Sequence, residues 1–137
     1  MVNPEKIASM LENLRDYLGI LREHAAMGRT ALLGDRNALD SAKYNFIVAI
    51  ECCIDIGNHV IASEGLRTPS DYRDVAQVLA EAGIIGRDLA DRFKLMVSFR
   101  NRLVHMYWKV DDELVCDYLE ENLDDIGELA KAFVELS

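Results

Sequence analysis

The sequence predicts an all-α protein, one domain over residues 1–137 built as an up-and-down bundle of four to five helices. Three observations carry this expectation. Apolar residues recur at spacings of three and four over long stretches. Only two prolines interrupt the chain, and Leu, Ala, Ile, Glu, Asp and Arg are frequent. No segment alternates apolar and polar residues over a useful length, so no sheet is expected. Half of the residues are hydrophobic, enough for a chain of this length to bury one sizeable core.

Asn3-Pro4-Glu5 starts the first helix with a capping residue, a proline at the first position and an acid in the first turn. Its apolar stripe is Ile7, Met10, Leu11, Leu14, Leu18 and Leu21, and it runs to Met27, before Gly28. Leu32 to Asn37 reads as a turn. The second helix is expected from Asp40 to Ser63. Its middle, Phe46 to Ile50 and then Cys52-Cys53-Ile54, is apolar nearly all round, which predicts the central, most buried helix. Glu51, Asp55 and Asn58 form a polar stripe on it. A buried carboxylate needs a cationic or hydrogen-bonding partner, and Arg100 or Arg102 is the candidate. Gly65-Leu66-Arg67-Thr68-Pro69 ends this helix. Ser70 caps the next, which carries Tyr72, Val75, Val78, Leu79 and Ala82. Gly83 to Gly86 is a connector, and a fourth helix runs from Arg87 to His105. Lys109 to Asp112 is a break. The last helix covers Glu113 to Leu136, with Leu119, Leu123, Ile126, Leu129, Ala130 and Phe133 on one side.

No stretch approaches the ~20 uninterrupted apolar residues of a membrane span, and the start carries no basic-then-apolar signal peptide. A cytoplasmic protein with no membrane partner is expected. The three cysteines include the adjacent pair Cys52-Cys53, no CxxC pair occurs, and the histidines are scattered. Reduced cysteines packed as small core residues are expected, with no metal site and no cofactor. His24 reads as a surface residue, and His59 lies near a helix end.

The net charge of −9 argues against a general nucleic-acid binder. That charge is unevenly spread. Residues 1–86 carry −4, residues 87–109 carry +4, and residues 110–137 carry −9. A local basic site on an acidic body can still bind a polyanion. The C-terminal carboxylates read mainly as a solvated helix face, with a curb on indiscriminate binding or a basic partner as alternatives.

The positive segment contains Arg100-Asn101-Arg102-Leu103-Val104-His105-Met106-Tyr107. A guanidinium holds phosphate oxygens through a planar fork of donors, and an imidazole exchanges a proton near neutral pH. Together they are the minimum set for cutting RNA without a metal. Leu89, Phe93, Met96, Arg100, Leu103 and Tyr107 share one stripe, so Arg100 occupies an apolar position. It therefore either forms an ion pair with Glu51 or Asp55, or faces a cleft or subunit interface. Asn101 and His105 are four apart, so the amide is placed to orient the imidazole. Arg100 and His105, however, diverge by about 140° on a straight helix. Convergence on one phosphate needs a helix end near His105, or a twofold dimer that pools two copies. Tyr107 and Trp108 are suited to stacking on a base.

Arg100-Asn101, His105 and Tyr107 resemble the Arg-Asn-x-x-x-His-x-Tyr motif of HepT-like toxins in the HEPN superfamily of helical ribonucleases. The similarity extends to residues 55–61, 65–69, 79–85 and 96–101, and spans roughly Asp40 to Leu119. The resemblance implies a homodimer with a cleft lined by both motifs, and metal-independent endoribonuclease activity on an RNA substrate. It implies Arg100 and His105 as the catalytic pair, Asn101 and Arg102 in support, and a 2′,3′-cyclic phosphate product. It further implies a toxin–antitoxin pair, with an MntA-like nucleotidyltransferase antitoxin that silences the toxin by transferring AMP to Tyr107. The alternative is a non-catalytic helical module that docks a nucleotidyltransferase or binds nucleotide or RNA. In a third reading the motif is structural, with Arg100 neutralising Glu51 or Asp55.

Overall fold

The structure is a computed structural model that describes residues 3–136. Seven helices and no strand occur among the described residues: α1 (Pro4–Met27), α2 (Arg29–Leu33), α3 (Arg36–Ser63), α4 (Tyr72–Glu81), α5 (Arg87–His105), α6 (Asp112–Glu121) and α7 (Leu123–Val134). A single 3-10 turn, Tyr107–Lys109, follows α5.

The long helices arise from the signals already noted. The Asn3 side chain accepts from the Lys6 amide at 3.2 Å, and Pro4 follows at the first position of α1. That helix buries Ile7, Leu11, Leu14 and Leu21, and ends at Gly28, whose φ of 85° suits a residue without Cβ. Central α3 packs against α1, α4, α5, α6 and α7. By length and composition α3 would suffice to cross a membrane, but half of its apolar window is buried in the bundle. At its middle, Phe46 meets Phe99 of α5 edge-on at 5.2 Å, and Phe99 stacks on Tyr118 of α6 at 3.8 Å.

Several boundaries differ from expectation. The predicted turn at 32–37 is partly helical, because α2 ends at Leu33 and α3 already begins at Arg36. Asp35 caps α3 by accepting from the Ala38 amide at 3.0 Å, so the helix begins four residues before the expected Asp40. Asp71, not Ser70, caps α4, accepting from the Asp74 amide at 2.7 Å; Ser70 instead donates to the Asp74 carboxylate. The last predicted helix divides at Asn122, which has φ −120° and donates its side-chain amide to Asp125 at 3.1 Å. A short amide side chain competes with the helix ladder in this way. His24 is half-buried rather than on the surface, and its Nε2 lies 2.9 Å from Ser41 Oγ of α3.

The acidic C-terminal segment is not simply a solvated face. Among the described residues, six of its carboxylates pair with cations of this chain: Asp112, Asp117, Glu120, Asp124, Asp125 and Glu128. Their partners include Arg29, Arg36 and Arg92, so these acids tie α6 and α7 to α2, α3 and α5. Where α3 meets α4 the backbones come close. A Cβ on Gly57 would lie 2.6 Å from Val75 Cγ1 and 3.3 Å from Leu79 Cδ1.

Candidate functional site

The C-terminal end of α5 carries the motif. Phe93, Met96, Val97, Phe99 and Leu103 bury one side of α5 in the core, which fixes the directions of the residues between them. Arg100 points toward α3 and α4. Its Nη2 and Nε donate to Glu51 Oε1 at 2.7 and 3.3 Å, and its Nη1 donates to Asn101 Oδ1 at 2.9 Å. The guanidinium also lies 5.1 Å from the centre of the Tyr72 ring. Glu51, Ile54, Asp55, Tyr72 and Arg100 line a pocket of about 140 Å³. Burial, and then the neighbouring Glu51, push the Asp55 carboxyl above the usual carboxylate range, while Arg100 opposes them. Of the two acids proposed as partners, Glu51 takes the ion pair with Arg100. Its side chain is 39% exposed, so the pair is not fully enclosed.

Helix α5 ends at His105, and Met106 leaves helical geometry at φ −138° and ψ 39°. His105 is exposed and makes no side-chain hydrogen bond among the described residues. The Asn101 amide therefore orients Arg100, not the imidazole as its spacing had suggested. Within one chain Arg100 and His105 share no partner among the described residues. Arg102 is exposed, without a salt bridge among the described residues. Tyr44, Val104, Met106 and Trp108 are exposed as well, and Trp108 is the most open of them at 77%.

Tyr107 is half-buried against the start of α3. Its hydroxyl donates to Asp40 Oδ1 at 3.1 Å, and the Lys43 ammonium lies 4.8 Å from its ring centre. Lys43 is buried and pairs with Asp112 at 3.3 Å. Arg36 bridges Asp112 and Asp40. Burial, followed by the hydrogen bond to Asp40, raises the phenol above its ordinary pKa.

Sequence reasoning assigned no role here to Tyr72, Arg36, Asp40 or Lys43. Tyr72 shares its spacing with the apolar residues of α4, yet it is 47% exposed and flanks Arg100. Lys43 did leave a signal, because it falls between Leu39 and Phe46 on the buried face of α3. Among the described residues, no group of three or more His, Cys, Asp or Glu side chains is placed to hold a metal ion.

This helical bundle is the fold of HEPN toxins. A tri-AMPylated Shewanella oneidensis HEPN toxin, solved in complex with MNT antitoxin, superposes with a TM-score of 0.87 at 25% identity, covering 96% of this chain and 97% of that one. Residues 11–133 match the ribonuclease HepT-like family, and the chain belongs to it. The mRNA nuclease HepT of Shewanella oneidensis is 35% identical over 86 residues, 63% of this chain and 65% of that protein. The match thus spans less than two thirds of that relative's length. The fold is also that of YutE from Bacillus subtilis, described as a cytosolic protein of unknown function (TM-score 0.84, 18% identity, covering 98% and 90% of the two chains).

Proposed function

We propose that this chain is the toxin of a toxin–antitoxin pair, a cytoplasmic endoribonuclease whose site is a cleft between two copies of the bundle. The observation that carries this reading is the fixed Arg100 on the same helix end as an exposed His105. Arginine has five N–H donors. Glu51 and Asn101 engage three of them, so two remain for phosphate oxygens.

In this reading His105 takes the proton from a ribose 2′-hydroxyl. The 2′-oxygen attacks the adjacent phosphorus, the 5′-oxygen of the next nucleotide leaves and takes a proton from water, and a 2′,3′-cyclic phosphate forms. Arg100 neutralises the charge that builds on the phosphoryl oxygens. DNA lacks the 2′-hydroxyl and is spared. These steps call on no metal. Asn101 holds the guanidinium in place, and Arg102 attracts the polyanion.

Two observations support the twofold dimer. Arg100 and His105 share no partner within one chain, and exposed Tyr44 and Val104 lie on α3 and α5, which carry Glu51 and the motif, with exposed Met106 just past the end of α5. The antitoxin is an MntA-like nucleotidyltransferase, and AMP on Tyr107 blocks the cleft with a bulky anion. The AMPylated state of the Shewanella toxin supports this assignment.

The test is cleavage of RNA by the purified, unmodified chain, with His105→Ala as the control. Cleavage that leaves cyclic phosphate ends and disappears in the variant is expected. Equal cleavage by the variant overturns the role of His105. Toxicity relieved by the neighbouring gene's product separates this reading from a binding module without turnover, which predicts a stable complex and no cleavage.

A further inference from the structure

We infer that Asp40 is the proton acceptor for transfer of a nucleotidyl group onto the Tyr107 hydroxyl, so that this chain supplies part of the machinery for its own modification. The inference rests on the reading of Tyr107 as the modified residue. What carries it is the 3.1 Å hydrogen bond that the phenol donates to Asp40 Oδ1 from 67 residues away in sequence.

A phenol is a poor nucleophile until its proton has somewhere to go. This one is held more firmly protonated than an ordinary tyrosine, by burial and by Asp40 itself. The proton must leave before or as the new bond forms, and it needs an acceptor at that oxygen. Asp40 is the group already on the reacting oxygen. The Tyr107 oxygen attacks the α-phosphorus of a nucleoside triphosphate, and the bond from that phosphorus to its bridging oxygen breaks. Pyrophosphate departs with the electron pair, and the phenol proton passes to the Asp40 carboxylate.

The surroundings suit the product. Asp40 and Asp112 carry two negative charges, and Arg36 and Lys43 carry two positive ones within the same network. The incoming phosphodiester thus meets a neutral set of charges rather than a net negative one. The Arg36 side chain is 57% exposed, free enough to exchange a carboxylate for the new phosphate. A merely structural role for Asp40 would fix Tyr107 without touching the chemistry, and the two roles separate experimentally.

The experiment is single-turnover transfer of labelled AMP from ATP to the full chain by the cognate nucleotidyltransferase in excess. Asp40→Asn is expected to slow transfer by ~100-fold, the scale of a lost general base, with little change in the nucleotidyltransferase concentration that gives half-maximal rate. Asp40→Glu keeps a carboxylate within reach and is expected to remain within ~10-fold of the parent. A fluorinated tyrosine at position 107, with a more acidic phenol, is expected to restore most of the rate to Asp40→Asn, which no structural role explains. The Asp40 side chain is 45% exposed and the amide is isosteric, so the variant should fold, as a thermal melt checks. Labelling of Tyr107 in Asp40→Asn at the parent rate overturns the inference and leaves the modification reading intact. A parent chain that takes no label, or a Tyr107→Phe variant labelled as well as the parent, overturns the modification reading and the inference with it.

Discussion

Glu51 and Arg100 meet through a single carboxylate oxygen, which accepts from both Nη2 and Nε of the guanidinium. Because the Glu51 side chain is 39% exposed, solvent screens the pair. Arg100→Ala is expected to cost about 1–2 kcal/mol of unfolding free energy, below the ~3–5 kcal/mol of a fully buried pair. RNA cleavage should fall by at least ~100-fold. Urea melts and a cleavage assay on the same samples check both. A variant that unfolds outright would place the motif's main role in the core.

His105 presents the opposite balance. It is exposed and makes no side-chain hydrogen bond among the described residues. His105→Ala should shift stability by no more than about 0.5 kcal/mol, while cleavage drops by ~100-fold or more. A large loss of melting temperature would contradict this division of labour.

Trp108→Ala isolates recognition. The indole is 77% exposed, so its removal should leave the melting temperature unchanged. If it stacks on a base, affinity for a short single-stranded RNA, measured with a non-cleavable analogue, should fall by about 1–3 kcal/mol. Unchanged affinity would remove Trp108 from the RNA path.

The α3–α4 approach gives a test with a built-in control. Alanine is better than glycine in a helix by about 1 kcal/mol. Gly57→Ala should nevertheless destabilise, because overpacking against β-branched Val75 costs about 1–3 kcal/mol. Gly19→Ala in α1 meets nothing within 4 Å and should stabilise by about 0.5–1 kcal/mol. Opposite signs in paired urea melts are the expected outcome.

Arg67 donates to both Asp74 and Glu81, and both carboxyls are held below their ordinary range by those hydrogen bonds. A depressed folded-state pKa stabilises above the unfolded value and loses that contribution as pH falls through the folded one. Melting temperature should thus hold from neutrality down to the ordinary carboxylate range and fall below it. Arg67→Met should make that acid decline shallower, and an identical decline in the variant would locate the acid sensitivity elsewhere.

The long helices were legible because burial imposes a period of 3.6. Ile7, Leu11, Leu14 and Leu21 of α1 and the core face of α5 from Phe93 to Leu103 follow it directly. Boundaries were less legible, because several side chains nearby can cap. Asp35 caps α3, which begins four residues before the expected start at Asp40, and Asp71 took the place given to Ser70. At the site, Arg100 announced itself as a charge on an apolar stripe, and Glu51 and Asp55 as acids on an apolar helix. The contact of Tyr107 with Asp40 joins residues 67 apart, and local spacing carries no record of such a meeting. Asn101 shows the limit of spacing from the other side: two residues four apart share a helix face, yet the amide bonds its immediate neighbour.

Cys52, Cys53 and Cys116 are all buried, and burial pushes each thiol up, Cys52 to about 11. The thiolate is the form that reacts with peroxides and disulfides, so very little of it is present at neutral pH. Oxidants thus find no ready thiol here, and a swing in the redox state of the surroundings should pass the cysteines by. The proposed control of the site through Tyr107 would then be independent of the redox state of the surroundings.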